Sequence, residues 1–142
     1  MSTRRMKWEM VDKVLLLVHG DGLAGDAEWK AFLDDYEKYS PLLQGVLLFL
    51  PTTGPSSAQR RRLTEIHARH PTPVAALTGS HLARGAVTAL CWLGVVVKAF
   101  DFGHEDAALT HLALPPRTRE LVLKQLTNFR RDLADSDRGM TA

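Results

Sequence analysis

Residues Val74 to Gly85 read V-A-A-L-T-G-S-H-L-A-R-G. The apolar run Val74 to Leu77 is short and unbroken, as in a strand buried on both faces. It stops at Thr78-Gly79-Ser80. From His81 to Leu93 the pattern changes to a helical stripe, with Ala83, Ala86, Val87 and Leu90 on one side. A strand that runs straight into a helix is half of a β-α-β unit, so this junction points to an α/β fold.

The same alternation extends in both directions. Val14 to Val18 (V-L-L-L-V) and Val46 to Leu50 (V-L-L-F-L) are two more unbroken apolar runs. Val95 to Phe100 is the fourth, and the richest in β-branched residues. Lys7 to Val11 alternates and reads as an edge strand, joined to Val14 by a hairpin at Asp12-Lys13. Between the runs lie helical patterns. Asp26 is placed to cap a helix carrying Trp29, Phe32, Leu33 and Tyr36 on one face, and Ser40-Pro41 ends it. Ser56 with Gln59 spells a capping box before Leu63 and Ile66. Glu105 to Leu114 is a short helix. Pro115-Pro116 opens a last one with Val122, Leu126, Phe129 and Leu133 on one stripe. The expectation is a single, mostly parallel sheet of four to five strands with covering helices, in an α/β domain over residues 6–114. Residues 115–134 form an additional C-terminal helix, and residues 135–142 a flexible tail.

A chain of 142 residues with 45% hydrophobic side chains suits one domain with a proper core. The net charge of +2 gives no general case for nucleic acid or for an anionic membrane. Arg60-Arg61-Arg62 lacks interleaved aromatics and reads as a solvated helix face. No apolar run is long enough to span a bilayer, and no signal-type segment follows the N-terminal charges. The single cysteine, Cys91, excludes an internal disulfide and a multi-cysteine metal site. Beside Trp92 it reads as a buried, inert thiol. The expected location is the cytoplasm.

Three loops would lie beyond the carboxyl ends of the strands, where α/β sheets place their ligands: residues 19–26, 51–56 and 78–81. At Thr78-Gly79-Ser80 the exposed N–H groups of a helix N-terminus suit an anion, and Arg84 one turn on adds charge. The plain alternative is that Ser80 only caps the helix. Neither a P-loop nor a G-x-G-x-x-G pattern is present, so nucleotide hydrolysis has little support. His19-Gly20-Asp21-Gly22 offers a histidine and a carboxylate for acid–base work, or simply a glycine turn. His104-Glu105 resembles half of H-E-x-x-H, but His111 comes too late for zinc spacing. No catalytic residue, metal site or cofactor is assigned. A response-regulator reading fails because the third strand ends in Thr78 rather than an aspartate.

The strand–helix order, the serine at the third junction and the closing V-V-V-K-A-F-D-F-G-H-E-D-A-A-L-T-H-L resemble the STAS superfamily, and within it the SpoIIAA-like (STAS/SEC14-type) proteins. Phe100, Glu105, Ala108-Leu109 and Leu112 carry the likeness, with His111 where a tryptophan is usual. In layout it covers roughly Trp8 to Leu114. The resemblance implies a sheet with helices packed against it, and binding rather than catalysis. In anti-sigma-factor antagonists of this kind a helix N-terminal serine in a D-S-S-G type motif is phosphorylated. Here T-G-S-H matches that motif in position only, through Thr78 and Ser80.

The function expected from all this is a non-enzymatic, regulatory interaction module. It would bind a protein partner or a small anion near Thr78, Gly79, Ser80 and Arg84. The alternatives are a SEC14-like carrier of a lipid or other small apolar ligand, and an unrecognised hydrolase using His19 and Asp21. The stripe Val122, Leu126, Phe129 and Leu133 either caps the domain's own sheet or helices, or packs against the same stripe of a second chain in a two-fold dimer; the homodimer is the preferred of the two, because the domain before it already has covering helices.

Overall fold

The computed structural model describes residues 5–21 and 24–140, with side chains to Asp135. Eleven elements follow the sequence. β1 (Met6–Val11) and β2 (Val14–His19) form the hairpin. α1 (Asp26–Tyr39) and a 3-10 turn (Ser40–Leu42) lead to β3 (Gly45–Leu50). α2 (Ser57–Arg69), β4 (Val74–Thr78), α3 (His81–Trp92) and β5 (Val97–Asp101) continue the alternation. α4 (Glu105–His111) and α5 (Pro116–Met140) close the chain. Among the described residues no helix is long and apolar enough to cross a membrane.

All five strands lie in one sheet, in the order β1-β2-β3-β4-β5. The first pair is antiparallel and the rest are parallel. Asp12 and Lys13 turn the hairpin with φ of 48° and 68°, the positive values that match the twist of two paired strands. The three central strands are buried along their whole length, as their unbroken apolar runs require. β1 and β5 are edges and only half buried. β5 starts two residues later than the run of valines suggests. Gly94 adopts φ 97° after α3, and the Val95 N–H donates back to the Leu90 carbonyl at 3.1 Å. Val95 therefore belongs to the helix ending, not to the strand.

Because strand order equals chain order, α1, α2 and α3 all cover the same face. There Leu15, Leu17, Leu48 and Ala76 meet Trp29, Phe32, Tyr36, Ile66, Val87 and Leu90 in one core. The opposite residues, Val14, Leu16, Val18, Leu47, Phe49 and Leu77, form a second core. α4 and α5 cover it. Of the two placements, the stripe takes the one within its own chain and is not a free dimer face: Val122, Leu126, Phe129 and Leu133 are buried in the second core, with α5 lying across β1 and β2. The reason is topological. A sheet wound in one direction leaves a whole face bare, and burying each such side chain is worth about 1.5–3 kcal/mol. Polar contacts fasten α5 to the hairpin: Lys7 pairs with Asp132 at 2.9 Å, Gln125 donates to Glu9, and Thr118 donates to Asp12 at 2.5 Å.

Two local expectations also change. Asp26 is the first residue of α1, not its cap. Gly25 holds the cap position without a side-chain bond, and Asp26 accepts from Gln59 Nε2 at 2.9 Å. Cys91 is exposed, its thiol donating to the Val97 carbonyl at 3.2 Å. α3 is apolar nearly all round, but it lies over an edge strand and buries only Ala83, Val87 and Leu90. The capping box of Ser56 and Gln59 forms as read.

Candidate functional site

The carboxyl ends of the parallel strands carry two clefts. Neither lies at a reversal of strand order, because the order β1 to β5 contains none. The first brings together Thr78, Gly79, Ser80 and Arg84, beside His81, Asp101 and Phe102, around about 370 Å³. The second, about 190 Å³, is lined by His19, Asp21, Phe49, Phe102 and Arg130 among others. Phe102 stands between them.

In the first cleft β4 delivers Thr78, whose hydroxyl donates to the Phe100 carbonyl at 3.4 Å. Gly79 is exposed yet has no room for a side chain. A Cβ would lie 2.7 Å from the Pro51 carbonyl oxygen and 2.8 Å from the Phe102 ring. Ser80 uses its hydroxyl both ways: it accepts from the Ala83 N–H at 3.1 Å and donates to the Thr52 carbonyl at 2.6 Å. The cap reading of Ser80 is thus met in the geometry, and the same hydroxyl ties the helix start to the loop after β3. Arg84 is committed to Asp101, so the positive charge expected for an anion here is neutralised by a neighbour.

From that junction α3 runs along the surface. Its outer side is apolar at both ends. Leu82 is 67% exposed and Trp92 84%, and Leu93 and Val96 add to the far end. Between them Gly85, Ala86 and Ala89 line an open trough with Pro55 and Arg60, of about 430 Å³. Burial on α2 differs. Arg62 donates to Asp34 at 2.5 Å and to Glu37 at 3.2 Å, and Arg69 pairs with Glu37 at 2.9 Å. Arg62 of the arginine run thus ties α2 to α1, together with Arg69. Arg62, with Lys30 beside Asp34 and Arg69 beside Glu37, holds the carboxyls of Asp34 and Glu37 below the usual carboxylate range.

In the second cleft His19 and Asp21 do not form an acid–base pair. His19 Nδ1 lies 2.7 Å from the Gly20 carbonyl, which makes it the donor nitrogen, and Nε2 is buried with no partner among the described residues. Burial pushes the imidazole below its ordinary value, against the Gly20 bond and the charges of Glu28 and Asp21. The second glycine of that loop, Gly22, lies outside the described residues. His104 and His111 sit at opposite ends of α4. Phe49, Phe102 and Arg130 were not singled out from the sequence. The available signal was an aromatic near the end of one strand and another just after the last. The apolar residues that a lipid carrier would need around a chamber are spent on the two closed cores.

Comparison with models of known families, with curated proteins and with solved structures finds no match to this chain.

Proposed function

We propose that the chain is a non-enzymatic, STAS-like interaction module of the cytoplasm, which docks a protein partner along the outer side of α3, starting at the Thr78–Ser80 junction. The observation that carries this reading is the exposure of Leu82 and Trp92 on one helix, at 67% and 84%. Large side chains scattered singly need no explanation, but a helix whose outer side is apolar at both ends is suited to a partner. Two features support the STAS-like part: a sheet with helices packed against it, and a serine at the start of the helix that follows β4.

The chemistry at this face is recognition. Trp92 is an anchor that loses little conformational freedom on binding. Ser80 sits at the head of the same helix, so a phosphoryl group there would break its bond to Thr52 and place negative charge beside the Arg84–Asp101 pair. The test is a photo-crosslinking residue at Thr88 in living cells, in the natural chain and in the double variant Leu82→Ser, Trp92→Ala. A discrete cross-linked species that disappears in the double variant supports the module. Identical products in both chains, or none, would sink it. Ser80→Glu tests the switch: a changed yield of that species, at an unchanged melting temperature, supports regulation at Ser80.

A further inference from the structure

The second cleft holds a cation with no anionic partner among the described residues. Arg130, an exposed residue of α5 next to the buried Phe129, has neither a hydrogen bond nor an ion pair among the described residues. Its guanidinium instead lies 4.7 Å from the centre of the Phe49 ring and 6.0 Å from that of Phe102. The two rings stack on each other at 4.5 Å, with 11° between their planes. Phe102 is in turn held by the absence of a side chain at Gly79. A guanidinium over a ring face still has its N–H donors in its own plane, where it can pair bidentately with a planar carboxylate.

The surroundings narrow the ligand. Val18, Pro51, Leu133 and Ala134 give the cleft apolar walls. Among the described residues Arg130 is the only lysine or arginine that lines it, and burial keeps His19 from adding charge. Asp21 also lines it and opposes a second negative charge. On the far side of Arg130, Glu105 and Asp106 are held by the Gly103 N–H and by Arg119, at 3.2 and 3.6 Å. The volume of about 190 Å³ suits a body of roughly one ring.

We propose that the cleft at the carboxyl ends of β2 and β3 binds a small organic monocarboxylate, with the carboxylate on Arg130 and an apolar body against Leu133 and Ala134. This site is separate from the α3 face and stands or falls independently of it.

The probe is benzoate, titrated into the isotope-labelled full chain and followed by amide and guanidinium NMR. A dissociation constant on the order of 1 mM is expected for so few atoms, with shifts centred on Gly20 and Arg130. Arg130→Gln should weaken binding at least about tenfold, and Arg130→Lys should also weaken it, since an ammonium cannot pair bidentately. Ala134→Phe, which fills the mouth and leaves Arg130 in place, should abolish the shifts even if the Arg130 variants fold poorly. Benzyl alcohol should produce no comparable shifts, and phenyl phosphate should bind more weakly than benzoate. The proposal is overturned if benzoate leaves these resonances unmoved at about twenty times that concentration, if benzyl alcohol acts equally, or if binding survives both Arg130→Gln and Ala134→Phe.

Discussion

The two faces of the sheet are made of alternate residues of the same strands, yet they are covered by different means. On one face the helices are the crossovers themselves. α1, α2 and α3 must lie there because they join neighbouring parallel strands. On the other face the cover is chain added after the last strand: a short α4 near β4 and β5, and a long α5 across β1 and β2. The first face is closed by connectivity, the second by docking. The docked side is also where the Arg130 cleft lies, at one end of the long helix.

Removing α5 breaks the comparison most severely. Truncation after Leu114 uncovers Val14, Leu16, Val18, Leu47 and Phe49, all of them buried in the full chain. The shortened chain should lack a cooperative melting transition by circular dichroism; a folded, monomeric product would show that α5 is dispensable. Next in size are paired core truncations. Leu17→Ala on the crossover face and Leu16→Ala on the docked face should each cost about 2–5 kcal/mol in denaturant unfolding. Phe129→Ala should cost about 3–5 kcal/mol. A much smaller loss at Leu16 and Phe129 than at Leu17 would mean that the docked face is loosely packed.

At the β4–α3 junction, Ser80→Ala removes a cap and a loop tie and should lower stability by about 0.5–2 kcal/mol. An effect near zero would mean that the Thr52 contact contributes nothing in solution. The mildest test is pH. Burial holds the pKa values of His19 and His67 below 6.5, so the unfolded chain binds more protons than the folded one below that pH. The stability they confer is present above pH 6.5 and fades as the pH falls through that region toward their lowered values. The carboxylates Asp34 and Glu37 titrate lower still and do not enter this window. The melting temperature should therefore drop between pH 7.5 and 5.5, and His19→Gln should flatten the drop. An unchanged slope in that variant would assign the effect elsewhere.

What the sequence makes legible follows from what each signal measures. An unbroken run such as Val46 to Leu50 reports burial on both sides, and the strands it marks fall where expected, in one sheet. A helical stripe reports that a face is buried but not against what. Val122, Leu126, Phe129 and Leu133 therefore fit either a second chain or the domain's own sheet, and strand order, which leaves a face open for them, decides it. The same limit applies to Cys91. It sits in an apolar helix, but only one stripe of α3 has a partner. Thr78 to Ser80 were legible as a junction because they adjoin in sequence. The Phe49–Phe102–Arg130 stack was not, because its members come from β3, the turn after β5 and α5, and only folding brings them together.

The late arrival of α5 also bears on how the molecule comes into being. At synthesis rates of about 5–20 residues per second these 142 residues take roughly seven to thirty seconds to make. The strands emerge in the order in which they pair, so β2, β3 and β4 can assemble side by side as they appear. Their docked face then stays greasy and open until the final helix has left the ribosome. During that interval it is a natural surface for a holding chaperone, and a ribosome stalled before Val122 would release a sheet primed to aggregate.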